Sequence, residues 1–377
     1  MRDLEEVRVD IDEVDKSILA LYEKRLKLAD EVAEYKIANH KNVYDKKREL
    51  EKLDKLSSMA TDDFTAQGIR ELFEQIMSCS RKKQYQILAN HGLMGKIPFE
   101  EIEKFDFSNK TIVYQGVEGA YSQAATIKFF GNDKEMFHVD TWREAMEAIK
   151  TGMADFAVLP IENSTAGSVI ENYDLLMEYD VTIVGEQIIK VEHALLGLSE
   201  AKLSDIDTVY SHPQALMQCD HYLLHDHPEF EAIAVDNTAM AAKRVCDEKK
   251  INQAAIASPI NAELYGLKLL DEAIQDDKQN ETRFIIVSGD KKFLSNANKV
   301  SLCIELSNDK GSLYHMLSHF IFNGLSLSKI ESRPIKGKQW EYRFFIDFDG
   351  NLREEAVLNA LRGLQEETNM MRILGNY

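Results

Sequence analysis

From Leu4 to Asn39 the chain contains neither glycine nor proline, and Val7, Ile11, Val14, Ile18, Leu21, Leu28, Val32 and Tyr35 follow the four-three spacing of a heptad seam. That pattern predicts one unbroken helix. At about 1.5 Å per residue it would be roughly 54 Å long, longer than a small domain is wide. Such a helix cannot bury its stripe alone. The seam therefore predicts packing against a second copy, hence a homodimer or higher homo-oligomer.

One seam position breaks the pattern: between Leu21 and Leu28 stands Arg25. A snorkelling surface arginine, or a buried one paired to fix register, would look the same. Arg25 and Lys36 are 11 residues apart, so they share a helix face to within roughly 50°. Arg8 falls roughly 100° away around the helix and points elsewhere. A second helix, about 45–57, places Asp45, Arg48 and Glu49 on one face. A third, about 63–86, carries Ser80 and Gln84 four residues apart. Each pair alone would suit a solvated helix face.

Together, Arg8, Arg25, Lys36, Asp45, Arg48, Glu49, Ser80 and Gln84 fall in the register of the all-helical chorismate mutases, which residues 1 to about 88 resemble. The resemblance implies an intertwined dimer in which Arg25 and the partner's Arg8 bind the two carboxylates of chorismate. It places Lys36 and Gln84 on the ether oxygen, Asp45 and Glu49 on the hydroxyl, Ser80 beside a carboxylate, and Arg48 among the substrate contacts. These residue types suit a Claisen rearrangement, which transfers no proton and needs no nucleophile, metal or cofactor. It needs a compact conformer held in place and donors aimed at the oxygen that gains charge.

The formal charge of −19 disfavours nucleic acid as a partner, so any anion site must be a local basic island. No apolar run approaches the roughly 18 residues of a membrane span. Cys79, Cys219, Cys246 and Cys303 are scattered without a CxxC pair, which fits a reducing, cytoplasmic setting. His221, His225 and His227 suit a solvated helix end better than a zinc site.

The heptad stops after residue 90. Residues 91–109, with Gly92, Gly95 and Pro98, form the expected linker, and the charged run 100–104 is compatible with a short helix. From 110 to 290 short apolar strands alternate with helices, predicting an α/β domain with mostly parallel strands. Hydroxyl or amide residues recur where strands turn into helices: Ser122, Asn163 with Ser164, Ser211 with His212, Asn237 with Thr238, and Ser258. Ordinary capping explains any one of them; five together suggest an anion-binding cleft.

Four segments carry a second resemblance: Gly119-Ala120-Tyr121-Ser122, Leu159-Pro160-Ile161-Glu162-Asn163-Ser164, Ser211-His212-Pro213-Gln214 and Asn280-Glu281-Thr282-Arg283-Phe284. The region is similar to the prephenate dehydratases. This implies two α/β lobes around a cleft, like periplasmic binding proteins, with Thr282 catalytic. Ser122, Glu162, Asn163, Ser164, His212, Gln214, Arg283 and Phe284 are the implied prephenate contacts.

Residues 298–377 read as strand-helix-strand-strand-helix-strand, a ferredoxin-like α+β plait. The segment resembles the ACT domain. Glu331-Ser332-Arg333-Pro334 keeps that family's motif, whereas Gly311-Ser312-Leu313-Tyr314 departs from its Gly-Ala-Leu-Val at two places. The implied effector is phenylalanine, bound by Gly311, Leu313, Glu331, Ser332 and Arg333.

The combination resembles the bifunctional chorismate mutase/prephenate dehydratases: a multidomain enzyme of phenylalanine biosynthesis that makes prephenate, converts it to phenylpyruvate and is restrained by phenylalanine. The alternatives are a dehydratase whose helices only clamp a dimer, and a non-catalytic anion sensor.

Overall fold

A computed structural model describes residues 2–92 and 97–377; Gly95 of the linker lies outside them. The chain divides into two compact units, Met1–Pro98 with Ser295–Asn376, and Phe99–Leu294 with Tyr377.

The first unit begins with three helices, α1 (Leu4–Ala38), α2 (Lys46–Ser57) and α3 (Asp63–Asn90). The Asp45 carboxylate caps α2 by accepting from the Arg48 amide, and Asp62 caps α3 by accepting from Thr65, each satisfying an orphan N–H. Only Ala29 and Ala33 of α1 are buried, a small-residue step against which α3 packs. The seam residues Ile11, Val14, Ile18, Leu21, Leu28, Val32 and Tyr35 are all exposed in the single chain.

The second unit holds β1 (Glu100–Ile102), β2 (Thr111–Gln115), α4 (Tyr121–Phe130), β3 (Glu135–Val139), α5 (Trp142–Thr151), β4 (Phe156–Asn163), β5 (Gly167–Ser168), α6 (Ile170–Glu178) and β6 (Thr182–Lys190). It continues with β7 (Ala194–Gly197), β8 (Thr208–Ser211), α7 (Pro213–Met217), β9 (Glu231–Ala234), α8 (Thr238–Glu248), β10 (Gln253–Ala257), α9 (Ile260–Tyr265), β11 (Lys268–Asp271), β12 (Glu281–Ser288) and β13 (Lys292–Leu294). One lobe is built on the strand order β3–β2–β4–β12–β6, the other on β9–β8–β10–β7–β11. Two crossings join them, at 191–193 and 272–280.

The sheets are mixed rather than mostly parallel. β2, β3 and β4 run parallel, as do β8, β9 and β10, but β12 is antiparallel to both neighbours and β7 to both of its own. The cause is the double crossing: β12 starts at the cleft, where β4 and β6 end. The expected short helix at 100–104 is also absent. Residues 100–102 form β1, paired in parallel with β13, so a non-local backbone ladder overrides the helical composition of the run.

Gly119 shows how closely the lobes meet. Its φ is +88°, and a Cβ there would fall 2.1 Å from Asn261 Oδ1, at the start of α9. Gly119→Ala is therefore expected to cost about 1–3 kcal/mol in backbone strain alone, seen as a lowered denaturation midpoint. An unchanged midpoint would show that this contact is not held in solution.

The first unit is completed by β14 (Lys299–Glu305), α10 (Ser312–Phe322), β15 (Leu327–Pro334), β16 (Tyr342–Asp349), α11 (Glu355–Glu367) and β17 (Met370–Asn376). All pairings are antiparallel in the order β15–β16–β14–β17, the topology of a ferredoxin-like plait. Its helices α10 and α11 also contact α3.

Candidate active sites

In the helical segment, Arg25 reaches across to α3 and donates to Ser80 Oγ and to the Ile76 carbonyl at 3.2 Å. Lys36 donates to the Val43 carbonyl. Ser80 Oγ in turn donates to the Ile76 carbonyl, and Gln84 Nε2 donates to the Ser80 carbonyl, leaving its other amide hydrogen and a buried, unpartnered Oε1. Burial lowers the pKa of both cations, while the nearby Glu49 charge raises each. Neither cation makes an ion pair among the described residues. In a chain of net charge −19, two half-buried cations without a carboxylate partner mark a site built for an outside anion.

In the α/β unit, a cleft of about 610 Å³ is lined by Thr165, His212, Gln214, Met217, Gln218 and Asn280, among others. Behind it runs a directed hydrogen-bond chain. His193 Nε2 lies 2.9 Å from Gln218 Oε1, and Gln218 Nε2 donates to Thr165 Oγ1 at 3.0 Å. Thr165 Oγ1 donates to Asn163 Oδ1 at 2.7 Å, and Asn163 Nδ2 donates to Thr282 Oγ1 at 2.9 Å. The Thr165 and Ala166 amides also donate to Asn163 Oδ1, which fixes the orientation of the Asn163 amide. Thr282 Oγ1 is thus an acceptor in this chain, and among the described residues its hydroxyl donates no hydrogen bond. Asn280 adds to the same corner: its Oδ1 accepts from Asn163, while its buried Nδ2 has no partner.

The sequence relatives agree with this pairing of sites. The prephenate dehydratase family profile matches residues 112–292, and the chorismate mutase type II profile matches residues 7–85. A bifunctional chorismate mutase/prephenate dehydratase of Stutzerimonas stutzeri is 33% identical over 99% of this chain and 97% of its own. The chain belongs to the bifunctional chorismate mutase/prephenate dehydratase family. An Arabidopsis thaliana arogenate dehydratase/prephenate dehydratase is 39% identical over 72% of this chain and 69% of its own. The crystal structure of an Arthrobacter aurescens prephenate dehydratase in complex with L-Phe superposes with a TM-score of 0.66 at 30% identity, covering 71% of this chain and 89% of that one.

Within the mutase domain the fold gathers Arg25, Lys36, Asp45, Glu49, Ser80 and Gln84 on facing helices. Asp45 is occupied as the α2 cap, and Glu49 is ion-paired to Arg81. Arg48 also lies on α2. Arg8 is exposed, paired to Glu5, and about 26 Å along α1 from Arg25. One chain does not bring it to the others.

Within the dehydratase domain His212 and Gln214 line the cleft, while Asn163 and Thr282 stand behind it, hydrogen-bonded to its lining residues Thr165 and Asn280 through the Asn163 amide, with Ser164 beside them. Ser164 Oγ accepts from the Glu281 amide and so staples β4 to the start of β12. Four expected contacts lie elsewhere. Ser122 is buried at the head of α4, donating to the Gln115 carbonyl. Phe284 is buried in the lobe core with Ile112, Phe130, Phe156 and Val158. A register irregularity between Arg283 and Phe284 precedes the point where the strand enters that core. Arg283 binds Glu186 at 2.7 Å and the Tyr377 hydroxyl at 2.8 Å, and lies 3.8 Å from Glu162. Glu162 and Arg283 therefore face each other across β4 and β12 rather than the cleft. In the plait, Gly311 and Leu313 lie at the start of α10, and Glu331, Ser332 and Arg333 lie on the edge strand β15.

Sequence inspection missed Thr165, Gln218, His193 and Asn280 as site groups. Only Asn280 carried a local signal, its position in the run that ends in Thr282. His193 is almost fully buried, which lowers its pKa from the ordinary 6.5, while its bond to Gln218 raises it. Below about pH 6.5 the unfolded chain takes up a proton that the folded chain resists, so this contribution is complete above 6.5 and is lost as pH falls below it. His193→Asn is expected to flatten the fall in denaturation midpoint between about pH 6.5 and 5. Parallel curves for the variant and parent would contradict the assignment.

Proposed function

We propose that the helical domain rearranges chorismate to prephenate and that the α/β domain converts prephenate to phenylpyruvate, with loss of CO2 and water. The observation that carries the first step is the pair of cations, Arg25 and Lys36, left without carboxylate partners. Arg25 and the partner subunit's Arg8 hold the two carboxylates; Lys36 and the spare amide hydrogen of Gln84 stabilise the ether oxygen as its bond to carbon breaks. Asp45 and Glu49 orient the ring hydroxyl, and Ser80 steadies Arg25.

For the second step the carrying observation is the uncommitted hydroxyl hydrogen of Thr282. Breaking the ring C–O bond leaves negative charge on the departing oxygen, and Thr282 donates to it as the carboxylate leaves as CO2. The ring becomes aromatic. Asn163 holds the threonine oxygen, and Asn280, His212 and Gln214 bind the substrate.

The exposed α1 seam supports a homodimer through a second copy of that helix, which also supplies Arg8. The Phe-bound relative supports phenylalanine as effector, with the plait acting as an ACT domain. Among the described residues no helix is long and apolar enough to cross a membrane.

Supplying chorismate and following prephenate and phenylpyruvate tests the assignment. Both are expected to form in turn, and added phenylalanine is expected to slow the second step. Arogenate offered in place of prephenate checks the substrate; faster turnover of arogenate would reassign it. A monomer in sedimentation at micromolar concentration would overturn the role of Arg8.

A further inference from the structure

The mutase residues on α3 lie in the same turns as a buried polar seam between α3 and the plait. Arg81, next to Ser80, is 6% exposed. Its guanidinium binds Glu367 at the end of α11 twice, Nε to Oε1 at 2.7 Å and Nη2 to Oε2 at 3.2 Å. The third nitrogen, Nη1, binds the Glu49 carboxylate on α2. The plane of the group also sits 4.8 Å from the centre of the Tyr44 ring. His319 Nε2 of α10 lies 3.1 Å from Glu367 Oε2, the oxygen that also accepts from Arg81 Nη2. Although burial opposes ionisation, His319 and Arg81 hold the Glu367 carboxyl down at about 2.

The neighbouring residues repeat the arrangement. Glu366 accepts from the Tyr44 amide at 3.0 Å and from the fully buried Tyr85 hydroxyl at 3.1 Å. Buried Lys82 donates to Ser318 of α10 at 2.9 Å.

This geometry bears directly on Glu49. Its charge acts on both Arg25 and Lys36, yet it pairs with neither. A lone carboxylate this close to two half-buried cations gains most by closing onto one of them, which would cancel the charge needed for a dianionic substrate. Arg81 holds Glu49 aside, and Glu367 fixes Arg81 through a bidentate fork. We propose that Arg81 and Glu367 are positioning residues for the mutase reaction, so that the last turn of plait helix α11 is a working part of the mutase site. This rests on the mutase assignment made above.

The test is a double-mutant cycle in the full-length protein. Arg81→Met is expected to lower mutase kcat/KM at least tenfold, chiefly through KM, while dehydratase kcat/KM stays within twofold. Glu367→Gln is expected to shift mutase KM in the same direction by a smaller factor. Arg81→Lys, which keeps the charge but loses the fork, is expected to recover only part of the loss. In a Glu49→Gln background, Arg81→Met should cost less than threefold further, because there is no longer a carboxylate to restrain.

Multiplicative losses with Glu49→Gln, or an equal fall in both activities with a lowered melting temperature, would show a purely structural clamp and overturn the proposal. So would full mutase activity in Arg81→Met. Failure of the underlying assignment looks different: the parent protein would not turn over chorismate at all.

Discussion

Thr282→Val is expected to reduce dehydratase kcat/KM by roughly 10²- to 10⁴-fold, the range for loss of a positioned proton donor, with mutase turnover unchanged. Valine keeps the shape of threonine and removes only the hydroxyl. The fold should tolerate the change, because Asn163 Nδ2 also donates to Asn280 Oδ1 at 2.8 Å and to the Glu281 carbonyl at 3.1 Å. No buried N–H is orphaned, so the stability loss should stay near 1 kcal/mol. Thr282→Ser restores the donor without the methyl group that limits its rotation, and should recover activity in part. Separate assays with prephenate and with chorismate measure both effects. A Thr282→Val enzyme that retains dehydratase activity would remove the threonine from the mechanism and leave the cleft as a binding site alone.

Arg25→Ala should do the converse. Truncating one partner of a desolvated, hydrogen-bonded charge pair costs about 2–5 kcal/mol, or roughly 30- to 5,000-fold in mutase kcat/KM. Dehydratase activity on added prephenate should be unaffected. Among the described residues Arg25 donates to Ser80 Oγ and the Ile76 carbonyl and makes no ion pair, so its removal leaves no unpaired carboxylate behind. Arg25→Lys should remain well below the parent, because an ammonium cannot reproduce the planar fork that grips a carboxylate. Loss of both activities in a variant that still melts cooperatively would contradict separate sites. Thr282 and Arg25 lie in different compact units, and this supports independent effects.

The sequence revealed what depends on local rules. The first helix follows from its seam, the other two from residues recurring three and four apart, and the plait from its order of elements. Thr282 and Arg25 each stood out against their surroundings, one at the mouth of an apolar strand and the other in an apolar seam. What stayed hidden depends on partners far along the chain. Arg81-Lys82-Lys83 looks like a solvated basic run, yet Arg81 is buried because its carboxylate arrives from 286 residues away. Thr165 and Gln218 show their roles only once two lobes close on each other. Phe284 and Ser122 illustrate the opposite error: they sit in motifs but serve the core, as a side chain filling the lobe and as a hydroxyl tying α4 to its strand. The run 100–104 has the composition of a helix but pairs as a strand for a related reason: its partner β13 lies almost 200 residues later.

The bare seam of α1 has a practical consequence. If Arg8 is borrowed from a second chain, as proposed above, dilution is expected to act unequally on the two chemistries. Below the concentration at which the long helices separate, chorismate consumption falls faster than enzyme concentration, while turnover of added prephenate falls only in proportion. The ratio of the two rates in one tube therefore becomes a titration of subunit association. Coupled assays run at very low enzyme would stall at the first step even though every molecule still carries a competent second one.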